Sequence, residues 1–176
     1  MTVKVLFFDT SALLKLFVTE EGTSKVQWLV SSRTRMLYSL SFVVNEQVCS
    51  EFESKIKSFA ETGKLTIKDA DRNAHKFFKH YKNKVFRLIG QGIVSNTKQE
   101  VTIDAVCKTL DLKVGKNDWD GLIYQSIVNR LAFLGGESHP ILVTCDRPLE
   151  RKVKAQGYRV INPARQNVDE IRALIA

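Results

Sequence analysis

Val3-Lys4-Val5-Leu6-Phe7-Phe8-Asp9-Thr10-Ser11 is an apolar run that stops on a carboxylate followed by two hydroxyls. Val3, Val5, Leu6, Phe7 and Phe8 make a nearly continuous β-prone stretch, as expected for a strand buried on both faces of a parallel sheet. Asp9 stands where that strand ends. Thr10 or Ser11 is placed to cap the next helix, since Ala12-Leu13-Leu14-Lys15-Leu16-Phe17 combines helix formers with an apolar face. Ligands of open α/β sheets bind outside the carboxyl ends of the strands. Asp9 therefore has two readings: a turn residue or cap, or the first group of a binding site.

Outward from this stretch, strand and helix signals alternate. A short helix is expected after Thr23-Ser24. A second strand is expected at Met36-Leu37-Tyr38-Ser39-Leu40, then a long helix from Phe42 to Ala60 capped by Ser41. Lys68 to about Tyr81 reads as a helix, and a short strand is expected near Ile93-Val94. Helices are expected from Lys98 to Leu110 and from Asn117 to Leu134. Pro140-Ile141-Leu142-Val143-Thr144 is a clear strand that ends on Cys145-Asp146. A helix from Pro148 to Gln156, a strand from Tyr158 to Ile161 and a helix from Val168 to Ile175 complete the series. This alternation predicts an α/β fold of three layers, α/β/α, with a central, mainly parallel sheet.

At 176 residues and 44% hydrophobic content, the chain is expected to be a single domain spanning 1–176 with a proper core. No apolar stretch approaches the ~18 residues of a membrane span, and a cytoplasmic protein is expected. Cys49, Cys107 and Cys145 are odd in number and far apart, which suits reduced core residues. His75, His80 and His139 lack metal-ligand spacing.

The net charge of +8 is concentrated. Ten Lys or Arg between Lys55 and Arg87, set against Glu61, Asp69 and Asp71, carry +7 of it. Such a patch suits a polyanion, and nucleic acid is the favoured partner. The interleaved Phe77, Phe78, Tyr81 and Phe86 have two readings, platforms for stacked bases or core residues of a solvated helix face. The second is preferred.

Two strand ends carry an acid, Asp9 and Asp146, and Thr144 shares a side of its strand with Asp146. Asp118 and Asp120 begin a third acidic position. At about 100° per residue they point roughly 200° apart, and Asp120 falls among Ile123, Ile127, Leu131 and Leu134 on the core-facing stripe. A carboxylate there is costly unless a cation or donor meets it, whereas Asp118 is explained as a first-turn charge. Glu46 lies on the shoulder of the stripe formed by Val44, Val48, Phe52, Ile56 and Phe59, compatible with a site or with the surface.

Four acids in this order resemble the PIN-domain nucleases, and among them the VapC-type toxins of bacterial toxin-antitoxin pairs. The resemblance rests on FFDTSALLKLFVTEEGT, YSLSFVVNEQVCSEF, NDWDGLIYQSI and LVTCDRPLERKVKAQGYRVINP, and it spans nearly the whole chain. It implies a PIN-like fold in which Asp9, Asp120 and Asp146 hold Mg²⁺ or Mn²⁺, with Glu46 completing the shell or orienting the attacking water. Asp118 is the alternate to Asp120, because Gly121-Leu122-Ile123-Tyr124 departs from the residues usual after the third acid. The basic helical segment from about Lys64 to Thr97 is longer than the family usually has and reads as insertion-like.

The chemistry suits these residues. Phosphodiester hydrolysis needs an activated water and a neutralised developing charge, which carboxylate-held hard cations supply. Ser11 or Thr10 is placed to donate to Asp9 or to the scissile phosphate, with Thr144 acting similarly beside Asp146. The resemblance further implies cleavage of RNA to 5′-phosphate and 3′-hydroxyl ends, a homodimer and a partner antitoxin. The alternative is a catalytically silent PIN-like nucleic-acid-binding module, against which the presence of all four acids argues. A haloacid-dehalogenase-like phosphatase would need a second Asp where Ser11 stands, and a receiver domain would need adjacent acids that do not occur.

Overall fold

The computed structural model describes residues 3–77, 79, 85–89 and 140–176. Among them, β1 (Lys4–Phe8), β2 (Leu40–Asn45), β3 (Phe86–Ile89), β4 (Ile141–Val143) and β5 (Val160–Ile161) form one sheet in the order β3-β2-β1-β4-β5. Every pairing is parallel. Leu6 pairs with Phe42 on one side and Ile141 on the other, which puts the opening stretch of the chain in the middle of the sheet. Leu6, Phe7 and Phe8 are buried, as a strand flanked on both edges and covered on both faces requires.

The chain winds outward from β1 to β2 and β3, then returns to the other side of β1 with β4 and continues to β5. The strand order therefore reverses between β1 and β4. Crossovers between parallel strands are right-handed, so connections running in opposite directions along the sheet put helices on opposite faces. The result is a three-layer α/β/α arrangement. Its helices are α1 (Thr10–Leu14), α2 (Thr23–Val30), α3 (Ser32–Leu37), α4 (Glu46–Glu61), α5 (Ile67–Lys76), α6 (Arg147–Ala155) and α7 (Val168–Ile175).

Aromatic packing fixes the wide half of the sheet. Phe8, Phe42 and Phe86, from β1, β2 and β3, meet with ring centroids 5.1 to 5.9 Å apart. A second cluster joins Phe17, Phe52 and Phe77 at 4.6 to 6.0 Å and holds α4 and the end of α5 beside the turn after α1. Phe77 and Phe86 are thus core residues. Of the aromatics within the basic segment, these two are unavailable to stack bases, and Phe78 and Tyr81 lie outside the described residues.

The second strand lies further along the chain than the sequence predicts. Met36 and Leu37 are 75% and 61% exposed and end α3, whose N-cap Ser31 accepts from the Thr34 nitrogen. Ser39, at φ +51°, turns the chain, and Leu40 to Asn45 then enters the sheet. Ser41 accordingly pairs with Val5 instead of capping a helix, and Val44 belongs to the strand instead of the helical stripe. Ser41-Phe42-Val43-Val44 is β-branched and aromatic, and its place between β1 and β3 is decided by pairing on both edges. The expected strand at Ile93-Val94, the helices over 98–110 and 117–134, and residues 78 and 80–81 of the expected basic helix lie outside the described residues. Cys49 and Cys145 are free thiols; Cys107, His80 and His139 also lie outside.

Among the described residues no helix is long and apolar enough to cross a membrane. Much of the basic segment's charge is locally matched: Lys57 pairs with Glu53, Lys64 with Glu20 and Arg72 with Asp69.

Gly22, the N-cap of α2, locks the first crossover against the loop after β5. Its φ is +87°, and a Cβ there would lie 2.8 Å from the Pro163 carbonyl carbon and 2.9 Å from the Ala164 nitrogen. Both the left-handed backbone and the close approach to main chain oppose a side chain. Gly22→Ala is expected to destabilise the protein by about 2 kcal/mol or more. Urea denaturation checks this as a lower midpoint with unchanged slope.

Candidate functional site

The reversal point between β1 and β4 is where an open parallel sheet leaves a crevice at its carboxyl edge, because the flanking connections leave in opposite directions. Asp9 and Asp146 follow the two strands that border it. The Asp9 nitrogen donates to the Val143 carbonyl at 3.0 Å, carrying the β1–β4 pairing one step past the end of β1. Asp9 is itself the N-cap of α1, in place of Thr10 or Ser11, with its side chain accepting from the Ser11 nitrogen.

One oxygen of Asp9 takes all of the donors that the described residues offer it. Oδ2 accepts from the Ser11 nitrogen at 3.2 Å, the Ser11 hydroxyl at 2.6 Å and the Thr144 hydroxyl at 2.9 Å. A hydroxyl has one proton to give. With both protons given to Asp9, the 3.2 Å approach of Ser11 Oγ to Thr144 Oγ1 is a close packing of two donors around a shared acceptor. Their own oxygens accept in turn, Ser11 Oγ from the Cys145 nitrogen at 2.9 Å and Thr144 Oγ1 from the Asp146 nitrogen at 3.0 Å. The loop after β4 is thereby laced to the loop after β1.

Asp146 is half-buried and caps α6, with Oδ1 accepting from the Leu149 nitrogen at 2.9 Å. Both strand-end acids are therefore helix caps, and the bland reading of each is part of the truth. Capping uses only one carboxylate oxygen. Among the described residues no donor engages Asp9 Oδ1 or Asp146 Oδ2.

Asp9 is only 8% exposed. Burial pushes its carboxyl above the usual range, the Ser11 and Thr144 hydrogen bonds pull it back in part, and the negative charge of Glu51 adds to the rise. Glu150, the other buried acid, behaves oppositely. Burial would raise it, but Lys154 Nζ at 2.7 Å and Asn162 Nδ2 at 2.6 Å, with Arg165 further off, hold it below the usual range. Lys15 is buried near the crevice and tied to Glu20 at 2.6 Å. Burial raises the Cys145 thiol, against the positive charge of Lys15.

Glu51 was not among the acids singled out in the sequence. It lies on α4, and its Oε2 accepts from the Thr10 hydroxyl at 2.7 Å, directly after Asp9 in the chain. Its spacing from Val48 and Phe52 puts it on the shoulder of the core stripe, a signal that gains meaning only once α4 is known to pack on α1. Glu46 opens α4, but its side chain, with Asp118 and Asp120, lies outside the described residues.

The donors at the crevice are carboxylate and hydroxyl oxygens, the type that Mg²⁺ and Mn²⁺ take. Among the described residues no group of three or more His, Cys, Asp or Glu is close enough to hold a metal ion. Asp9 and Asp146 thus suit such an ion chemically without completing a shell by themselves. No family model and no curated protein matches the chain.

Two measurements bear on this geometry. A carboxyl whose folded pKa is raised above its unfolded value lends stability that is full below the unfolded pKa and is lost as pH rises through the folded one. In metal-free protein, Asp9→Asn is therefore expected to melt above wild type near about pH 8 and to lose that advantage near about pH 4. Thr144→Val keeps the shape of a fully buried side chain while stripping the Asp146 nitrogen of its acceptor and Asp9 of a donor. A cost of about 1 to 3 kcal/mol is expected in urea denaturation, largely restored by Thr144→Ser.

Proposed function

We propose that this chain is a divalent-cation-dependent endoribonuclease of the PIN-domain type, cleaving RNA to 5′-phosphate and 3′-hydroxyl ends. The observation that carries the reading is the adjacency of β1 and β4 with an acid after each, Asp9 and Asp146, laced through Ser11 and Thr144 at the reversal point of the sheet. The reading is supported further by the motif resemblance of the chain to VapC-type toxins. On that resemblance rest the homodimer, the partner antitoxin and the cytoplasmic setting.

Asp9 and Asp146 would hold Mg²⁺ or Mn²⁺ with Asp120, Asp118 being the alternate, and with Glu46 as the family pattern has it. The ion supplies a more acidic bound water and neutralises charge on the phosphate. The protein's part is orientation. Ser11 and Thr144 fix one Asp9 oxygen so that the other is offered to the crevice, and the α6 cap does the same for Asp146. Exposed cations of the basic segment, Lys55 and Lys68 among them, supply sequence-independent phosphate contacts.

The test is cleavage of single-stranded RNA by the full chain with Mn²⁺ or Mg²⁺, with end-group analysis of the products. Asp9→Asn and Asp146→Asn are each expected to lose at least about a hundredfold in rate while binding RNA normally, given that even outer-shell changes at metal sites cost 10- to 100-fold. Wild type and Asp9→Asn equally inert while both bind RNA would overturn the nuclease reading in favour of a silent nucleic-acid-binding module.

A further inference from the structure

The nuclease reading leaves one half-buried acid without a task. Glu51 sits in the second turn of α4, between the core residues Val48 and Phe52, with its carboxylate turned toward α1. The donor that meets it is the hydroxyl of Thr10, a residue that is itself buried and is bonded in sequence to Asp9. No Lys or Arg among the described residues forms an ion pair with Glu51. Elsewhere in the molecule a buried carboxylate is matched by cations: Glu150 has Lys154 and Arg165.

Glu51 also repeats the arrangement at the two strand-end acids. Asp9 has one oxygen held by Ser11 and Thr144, and Asp146 has one held by the Leu149 nitrogen. Glu51 has Oε2 held by Thr10, and among the described residues no donor engages Oε1. Consecutive residues of the chain thus serve two carboxylates: Ser11 clamps Asp9, and Thr10 clamps Glu51. Two acids gathered by neighbouring hydroxyls, with no cation between them, form a repulsive pair in the protein alone and a favourable one around a hard cation.

We propose that Glu51, aimed by the Thr10 hydroxyl, is the carboxylate that α4 contributes to the divalent-cation centre built on Asp9. This rests on the metal-dependent reading and reassigns within it a role that the motif pattern gives to Glu46. Thr10 is the positioning residue.

The experiment is Mn²⁺ binding to the full chain, by calorimetry and by loss of the free Mn²⁺ electron paramagnetic resonance signal, for wild type, Glu51→Gln, Glu46→Gln, Asp9→Asn, Thr10→Val and Thr10→Ser. Glutamine keeps an oxygen for Thr10 to donate to, so the link between α1 and α4 survives while the ligand charge is lost. Glu51→Gln is expected to weaken Mn²⁺ binding at least about tenfold, and Glu46→Gln less than about threefold; Thr10→Val is expected to lose about threefold, with Thr10→Ser restoring it. Unchanged melting of metal-free Glu51→Gln accompanies these results, since a purely structural Glu51 would move melting and not Mn²⁺ affinity. If Glu51→Gln binds Mn²⁺ like wild type while Asp9→Asn does not, the assignment of Glu51 is overturned and the nuclease reading stands. If wild type binds no Mn²⁺, or Asp9→Asn binds it unchanged, both fall.

Discussion

The carboxylate of Asp9, caught between a hydroxyl from its own loop and a hydroxyl from the loop after β4, is the contact around which the carboxyl edge of the sheet is assembled. Its position follows from β1 and β4 being neighbours, since the Asp9 nitrogen already completes the ladder to Val143. Three donors then converge on Oδ2, enough to hold the group in place though not enough to cancel the cost of burying it, so its carboxyl stays above the usual range. The relay continues outward, because each hydroxyl accepts from a main-chain nitrogen of the partner loop, Cys145 or Asp146. One buried acid thus organises the starts of two helices.

The charged groups within the fold fall into two kinds. Glu150 with Lys154 and Arg165, and Glu20 with Lys15 and Lys64, are matched sets that fasten loops to helices. Glu20 is held below the usual carboxylate range by those two lysines, and the exposed part of that network adds little to stability. Asp9 and Glu51 are unmatched. A fold pays for an unmatched buried charge only where something else makes use of it, which is why perturbed acids collect at functional sites.

The basic segment contributes in a way its composition does not reveal. Phe77 and Phe86 are absorbed into the two aromatic clusters that join β1, β2, β3, α4 and the end of α5. Those rings shape the scaffold, and affinity for a polyanion along this face would come from lysines and arginines left at the surface, with the salt dependence such contacts carry. Neighbouring acids already occupy Lys57, Lys64 and Arg72, so the field is narrower than +7 suggests.

The opening strand, the acids after β1 and β4 and the last helix were legible in the sequence, because each is dictated by its own neighbours in the chain. Val3 to Phe8 is too apolar for anything but a buried strand, and Asn167 with Glu170 forms the capping box that starts α7 wherever that helix packs. The alternation of elements likewise determined a layered α/β fold. The second strand was not legible, because Met36–Leu40 and Leu40–Asn45 are both apolar and only the register between β1 and β3 selects one of them. Nor was Glu51, whose meaning depends on α4 lying across α1 so that Thr10 can reach it. Strand order is the extreme case: nothing local distinguishes β1 beside β4 from any other arrangement, and that adjacency, which brings Asp9, Ser11, Thr144 and Asp146 together from opposite ends of the chain, is decided by long-range pairing and packing alone.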